Sequence, residues 1–155
     1  MTELEEYRNK LMDRIGAAVR EFREACLAVK DPHASLETGD WNVHQLAVHT
    51  RDVDGLVYGL RVRRTLSEEN PEFSNFDGDA YLAEHYDPRE SLPDLLNSLV
   101  KNVDDLVRVL RQMPPEGWSR TSRHETQGDG LTLQVWVERD LEHIREHLET
   151  VKQVR

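Results

Sequence analysis

Residues 137–151 read VERDLEHIREHLETV and combine a helical apolar pattern with two histidines. At 100° per residue, four apolar side chains fall within about 60° of Ile144 on a helical wheel: Val137, Leu141, Leu148 and Val151. His143 and His147 lie together at one margin of this face, at the spacing that lets two side chains bind one divalent ion. The stretch therefore predicts an amphipathic helix with two metal ligands, and surface histidines without an ion are the alternative.

Three more segments have the same helical period, and no stretch of useful length alternates with the period of two expected of a half-buried strand. The four helical segments are residues 3–29, 41–64, 88–112 and 131–151. Asp40 is the predicted N-cap of the second segment, and Pro93 fits the third because it falls in the first turns. The chain is therefore predicted to be all-α, a single domain over residues 1–155 that forms an antiparallel four-helix bundle.

The second and third segments are joined by a long crossover, residues 65–87, with a predicted short helix from about Asp79 to His85. A connection of this length in a compact domain is often functional. Its aromatic residues either cover a ligand pocket or anchor the crossover to the bundle: Phe73, Phe76, Tyr81 and Tyr86.

The formal charge of −10, from 30 acidic and 20 basic residues, opposes binding to nucleic acid. One basic cluster, Arg61, Arg63 and Arg64, is either a site for a small anion or a solvated helix end. No stretch approaches the roughly 18 apolar residues that span a bilayer, and the acidic first ten residues do not resemble a signal peptide. The single cysteine, Cys26, falls on an apolar stripe, so we expect a cytoplasmic protein without disulfides or membrane insertion.

The second segment holds a histidine, His49, among its apolar positions, which are Leu46, Val53, Leu56, Val57 and Leu60. A buried imidazole needs partners for both nitrogens, because leaving one unpaired costs about 1–3 kcal/mol. We expect His49 to share a metal ion with His143 and His147, and a hydrogen-bonded core histidine is the alternative. His44 points about 140° away from His49 on the wheel and is predicted to lie at the surface.

Three histidine ligands leave at least one coordination position for water or substrate, which is typical of a catalytic ion. Zn²⁺, Ni²⁺ and Fe²⁺ all suit this donor set, and their order of affinity does not distinguish them. Asp52 and Asp140 each lie three residues from a predicted ligand. They are candidates to accept a hydrogen bond from a ligand imidazole, and ordinary surface acids are the alternative.

Three features together resemble the DinB-like superfamily of bacterial four-helix metalloproteins: Trp41-x₇-His49, the segment GWSRTSRHETQGDGLTL (117–133), and His143-x₃-His147. This resemblance covers nearly the whole chain. It implies an up-down-down-up bundle with a long crossover after the second helix, frequent homodimers, and a metal at the positions of His49, His143 and His147. His124 lies where relatives often have histidine, and we expect a loop hydrogen bond there in preference to a fourth ligand.

The same resemblance implies a thiol-dependent transferase or isomerase that joins a low-molecular-weight thiol, such as bacillithiol or mycothiol, to a small electrophile. A Lewis-acidic ion explains such chemistry, because it lowers the pKa of a bound thiol. A metal-dependent hydrolase and a non-catalytic metal-binding or stress-associated bundle are the alternatives, and no catalytic side chain is identified. We also expect a homodimer through helix faces, since Leu27 and Val109 extend the apolar faces of the first and third segments.

Overall fold

A computed structural model describes residues 1–37 and 41–154. Its helical elements are α1 (Glu3–Ala28), α2 (Val43–Val53), a π-helical turn (Asp54–Tyr58), α3 (Gly59–Ser67), α4 (Gly78–His85), α5 (Leu92–Gln112), a 3₁₀ turn (Pro115–Ser119) and α6 (Leu133–Lys152). Its strands are β1 (Glu72–Phe73), β2 (Thr121–His124) and β3 (Gly128–Thr132).

Four long helices form the bundle: α1, the continuous α2–α3 helix (residues 43–67), α5 and α6. Helix α1 packs against α5 and α6, while α2 contacts α5 and α3 contacts α6, which closes the ring of four. Side chains from all four helices are buried between them, among them Phe22, Ala47, Leu99 and Ile144. The predicted four-helix bundle is confirmed, and its up-down-down-up order and single domain stay predictions.

Short polar side chains define where the helices begin. Thr2 caps α1 and Asn42 caps α2, each within a capping box. Ser91 caps α5, and Pro93 lies in the first turn of that helix, as predicted. The predicted cap Asp40 lies outside the described residues.

The prediction of an all-α chain is too simple, because the strands form a small sheet in the order β1-β2-β3. Strand β1 runs parallel to β2, and β2 runs antiparallel to β3. These strands are two to five residues long and β3 reads GDGLT, so the sequence lacks the alternation that indicates a strand. The sheet joins the crossover to the segment that precedes α6.

The α2–α3 helix contains one wide turn, in which the amide of Gly59 donates to the carbonyl oxygen of Asp54, five residues back. Glycine fits there because a Cβ would lie 2.8 Å from that oxygen. The extra residue rotates the rest of the helix by about 100°. Leu56 and Leu60, predicted to be buried, are therefore 44% and 43% exposed, whereas Arg61 is only 7% exposed.

The crossover folds back onto the bundle through its aromatic residues and its short helix. The predicted helix is confirmed as α4. Phe73 is buried with its ring 5.8 Å from that of Trp136, edge to face. Tyr81 stacks on His85 within α4 at 4.0 Å.

Among the described residues, no helix has the length and apolar character needed to cross a bilayer.

His44 is buried, so its predicted surface position is wrong. Its Nδ1 lies 2.6 Å from the hydroxyl of Tyr86, and its Nε2 lies 2.7 Å from the backbone oxygen of Glu90. Both partners come from the chain after α4, which covers this face of α2. A helical wheel shows only the residues of its own helix, so it does not predict that a distant segment buries His44.

A buried pair of hydrogen bonds fastens α6 to the sheet. The indole N–H of Trp136 donates to Oγ of Ser122 at 2.8 Å, and the Ser122 hydroxyl donates to the backbone oxygen of Leu131 at 2.8 Å. Trp136 and Ser122 are both fully buried. The serine therefore holds the first turn of α6, the helix that carries His143 and His147, against the sheet.

Ser122→Ala is expected to lower the free energy of unfolding by about 1–3 kcal/mol, because it leaves the buried indole N–H without an acceptor. Urea unfolding followed by circular dichroism measures the change. Thr121→Ala, at the exposed neighbouring position, is the control and should stay within about 0.5 kcal/mol of the parent protein. Equal stability of the two variants would contradict this role for Ser122.

Candidate metal centre

The structure brings together the three histidines that the sequence singles out. His49 lies on α2, and His143 and His147 lie one turn apart on α6. Nε2 of His143 is 3.3 Å from Nε2 of His49 and 2.9 Å from Nε2 of His147. One ligand atom from each residue lies within 4.8 Å of the other two. The three imidazoles thus direct the same nitrogen toward one point.

This arrangement fits a divalent transition ion. Nitrogens that bind one tetrahedral ion at 2.0–2.1 Å lie about 3.3 Å apart. This matches the 3.3 Å between His49 and His143, and the 2.9 Å between His143 and His147 is shorter. Hydrogen bonds alone fit less well, because Nε2 of a neutral imidazole either donates or accepts and His143 contacts both neighbours through that atom. A single ion accepts all three lone pairs.

Burial keeps the cluster uncharged. It lowers the pKa of His143 to about 3 and that of His49 to about 4, and repulsion from neighbouring imidazoles adds to the effect. The pKa of His147 is also lowered by burial, and nearby Glu146 opposes the shift. Neutral imidazole is the form that binds metal, so at neutral pH protons do not compete for these nitrogens.

The ring of His49 is held between two other parts of the chain. The Trp41 ring lies 4.4 Å from it, tilted by 45°. On another side, Gly78 at the start of α4 lies so close that a Cβ there would be 2.8 Å from Cε1 of His49 and 3.3 Å from Nδ1. The crossover therefore positions a candidate ligand of a different helix.

Two other predicted site residues lie outside the cluster. Asp52 does not accept from an imidazole as predicted, and pairs instead with the guanidinium of Arg51 at 3.0 Å. Nδ1 of His124 accepts from the backbone amides of Thr126 at 3.1 Å and Gln127 at 3.2 Å. Within the described ranges, no further His, Cys, Asp or Glu joins the three histidines as a possible ligand.

Asp140 is fully buried and faces Asp54 of the π-helical turn. Burial and the neighbouring carboxyl hold its pKa well above the usual range, and burial raises the pKa of Asp54 to about 6. Neither carboxyl oxygen of Asp140 has a donor among the described residues, and Nδ1 of His143 has no acceptor. The hydrogen bond from an imidazole for which Asp140 is a candidate is thus not formed, and Asp140 faces Asp54 instead, with the pKa values of both carboxyls raised.

A cavity of about 250 Å³ adjoins the cluster, and His49 and His143 form part of its wall. A second cavity of about 330 Å³ shares four wall residues with the first: Tyr58, Arg61, Gln127 and His143. Phe76 of the crossover lines the first cavity, so one of the four crossover aromatics covers a pocket while Phe73 anchors the loop. A larger cavity of about 560 Å³ lies near Met12 and Trp118, and none of the three histidines lines it.

The sequence model of the DinB superfamily matches residues 25–151. The chain belongs to the DinB superfamily. A solved structure of YfiT from Bacillus subtilis superposes with a TM-score of 0.79 at 20% sequence identity, covering 99% of this chain and 89% of that one. YfiT is described as a probable metal-dependent hydrolase with an unusual four-helix bundle topology. At this sequence identity, the likeness to YfiT establishes the fold alone. In a separate comparison, no curated protein matches the chain.

Four residues of this DinB site are not predicted as such from the sequence: Tyr58 and Gln127 in the cavity walls, Gly78 behind His49, and Asp54 opposite Asp140. Each acts through a contact between segments distant in the chain, which periodicity within one helix does not reveal. The Asp77-Gly78 pair at the start of a short helix indicates a turn. It does not predict that the imidazole of His49 packs against Gly78.

Gly78→Ala is expected to weaken metal affinity roughly 10- to 100-fold, because the added methyl group displaces the ring of His49. Titration of the metal-free protein with Zn²⁺ against a competing chelator measures the affinity. Gly16→Ala is the matched control, since its Cβ would meet only Nη1 of Arg20, at 3.6 Å. Unchanged zinc affinity in Gly78→Ala would show that this contact does not position His49.

Asp140→Asn is expected to reduce the loss of stability that the protein suffers as pH rises. The folded pair retains protons that the unfolded chain releases above about pH 4, so its contribution to the free energy of unfolding falls from about pH 4 through pH 6 and higher. The amide supplies the neutral form at every pH.

Urea unfolding of metal-free protein at pH 4.5 and 7.5 tests this expectation. Between these values the parent protein should lose on the order of 1–3 kcal/mol more than the variant. Asp129→Asn, at an exposed position of β3, should behave like the parent protein. The same pH dependence in Asp140→Asn would show that the pair holds no such proton.

Proposed function

We propose that this protein is a metal-dependent enzyme in which Nε2 atoms of His49, His143 and His147 hold one divalent transition ion, Zn²⁺, Ni²⁺ or Fe²⁺. The observation that carries the proposal is the convergence of three neutral imidazoles, two of them in the wall of a cavity, with no fourth protein ligand among the described residues. Closed structural sites have four protein ligands, whereas catalytic sites keep one position for water or substrate.

The chain provides the surroundings for this chemistry. When bound, the ion supplies Lewis acidity, which lowers the pKa of a thiol or water at its open position. Tyr58 lines both cavities, and burial raises its pKa, so its phenol stays protonated and can donate a hydrogen bond to a substrate. Gln127 provides a neutral amide in the same walls.

The proposed reaction is conjugation or isomerisation of a small electrophile with a low-molecular-weight thiol. Superfamily membership supports it, and so does the absence of any carboxylate from the wall of the 250 Å³ cavity, since a carboxylate there would repel a thiolate. The sulfur has to come from a separate molecule, because Cys26 is fully buried and burial raises the pKa of its thiol to about 12.

Hydrolysis is the second candidate, and two observations favour it. Glu142 and Glu146 line the 330 Å³ cavity beside His143, where a carboxylate can act as a general base toward water. YfiT, the structural neighbour, is described as a probable metal-dependent hydrolase.

We further propose that the protein acts as a cytoplasmic homodimer. Leu56 and Leu60 are exposed one turn apart on the same helix, and Leu27 of α1 is 41% exposed. Val109, the other position expected at an interface, is half-buried. Exposed leucines on a helix face are surface that a second copy can cover.

We expect one ion per chain and turnover that requires both the ion and a thiol. Zinc- or nickel-loaded protein is incubated with glutathione-, bacillithiol- and mycothiol-type thiols and monochlorobimane, and the fluorescent thioether is followed. Alanine at His49, His143 or His147 should lower metal content and reduce turnover at least about 100-fold, since each removes one of three ligands. His85→Ala is the control, because His85 is an exposed histidine of α4.

Parallel assays with nitrophenyl esters and no thiol test the second candidate. Ion-dependent ester cleavage without thiol turnover would replace the transferase by the hydrolase. Full metal content in all three alanine variants would refute the ligand set. Stoichiometric metal with no turnover in either assay would leave a non-catalytic metal-binding bundle.

A further inference from the structure

Arg61 is a buried cation without an anionic partner. Its side chain is 93% buried, and no carboxylate of the described residues forms an ion pair with it. Its Nη2 donates to the backbone oxygen of Ser74 at 3.1 Å, while Nε and Nη1 have no hydrogen-bond partner among the described residues and are not sealed from solvent; the residue itself lines the 250 Å³ cavity. Buried arginines are normally paired, so a charge of this kind calls for a ligand.

His124 lies beside Arg61 and keeps it from a carboxylate on that side. Its Nδ1 accepts from two backbone amides, which puts the proton of the neutral ring on Nε2. Burial and the charge of Arg61 lower the pKa of His124. Nε2 lies 3.4 Å from Nη2 of Arg61, and the backbone of Ser74 hydrogen-bonds both side chains. The donors of Arg61 that remain for a ligand are therefore Nε and Nη1.

Aromatic rings hold the guanidinium without neutralising it. It lies 4.7 Å from the centre of the Trp136 ring and 5.8 Å from that of Phe73. The guanidinium of Arg139 lies 5.2 Å from the same Trp136 ring, and its side chain contacts the amide oxygen of Gln127. These contacts fix the plane of Arg61, while the two positive charges together attract an anion.

The two cavities differ in the charges of their walls. Arg61 is the only charged residue in the wall of the 250 Å³ cavity, which also contains Val53, Val57 and Phe76. In the wall of the 330 Å³ cavity, two acids, Glu142 and Glu146, balance the charges of Arg61 and Arg139. The first cavity is therefore a small, mainly polar pocket with an unbalanced cation, an apolar side and two candidate metal ligands.

We propose that this cavity binds a small organic anion, a molecule with one oxyanion group on a compact apolar body. The oxyanion accepts hydrogen bonds from Nε and Nη1 of Arg61, and the apolar body lies against Phe76 and Val57. The inference deepens the proposed function, on which it depends for the reacting end of the molecule, directed toward His49 and His143. The anion site itself does not require the ion.

The test uses the full chain at pH 7.5, both metal-free and loaded with Zn²⁺, at constant ionic strength. Benzoate and phenyl phosphate carry the two common oxyanion groups, and benzamide is the uncharged match of benzoate. Binding is measured by calorimetry and by the NMR signals of the Trp136 indole N–H and the Arg61 Nε–H. We expect both anions to bind metal-free protein and to shift these two signals, and benzamide to bind at least about tenfold more weakly.

Arg61→Met should weaken benzoate binding about tenfold or more, because it removes a charge-assisted hydrogen bond. Arg63→Met removes the same charge from an exposed position of α3 and should change binding less than about twofold. Arg61→Lys keeps the charge but loses the planar fork, and should give intermediate affinity. If the methionine variant does not fold, the lysine variant serves as the test. Folding is checked by whether the indole N–H signal of Trp136 keeps its position in the folded protein.

The outcomes separate this inference from the proposed function. Equal binding of benzoate and benzamide, or benzoate binding unaffected at Arg61, would overturn the anion site. Binding only to zinc-loaded protein without dependence on Arg61 would also overturn it, because the anion would then bind the ion. Arg61-dependent anion binding in a chain that takes up no metal would support the site and refute the proposed function.

Discussion

Three imidazole rings packed edge to face in a partly buried space are the constraint on which the site depends. They pack there because they are neutral, and burial lowers the pKa values that would otherwise charge them in mild acid. Nε2 of His143 lies 3.3 Å from Nε2 of His49, which requires α2 and α6 to approach closely. The sheet and the crossover serve this approach: Ser122 fastens Trp136 of α6, and Gly78 leaves room for the ring of His49.

The charge in the wall of the cavity beside the histidines is opposite in sign to the net charge of the chain. The chain has a formal charge of −10, yet the wall of the cavity beside the histidines contains a single charged residue, Arg61, and that residue is a cation. Asp54 and Asp140, which are buried on the same two helices, face each other, and burial raises the pKa values of both. Neither lines the cavity, so Arg61 is the one charged residue of its wall among those the structure describes.

Local periodicity predicts those features that depend on a single helix. The apolar stripe around Ile144, the inward lean of His143 and His147, and the position of Cys26 all follow from 100° per residue, and the structure agrees with them. The prediction that His49 shares an ion with His143 and His147 needs one further assumption, that the second and fourth helical segments face each other. The family resemblance implied the same crossover and ligand positions, and it added the up-down-down-up helix order, the homodimer and the thiol-dependent reaction.

Contacts between distant segments account for what the sequence does not predict. His44 is buried by residues more than forty positions later, and Asp140 finds its partner in the π-helical turn. The strands are too short to show alternation, since their stability comes from pairing across the fold. The prediction that Leu56 and Leu60 are buried is wrong, because the regular period of an α-helix does not hold through residues that form a wider turn.

That wider turn changes how chains of this kind are to be aligned. His49 and Arg61 are twelve residues apart, which on a regular α-helix places them about 120° from each other. With one residue absorbed by the wide turn, the separation behaves as eleven, or about 20°, and both side chains reach the same cavity. A relative with an uninterrupted helix would build the same wall with a histidine and an arginine eleven residues apart. An alignment without a gap inside this helix would set Arg61 against the wrong residue and hide the correspondence.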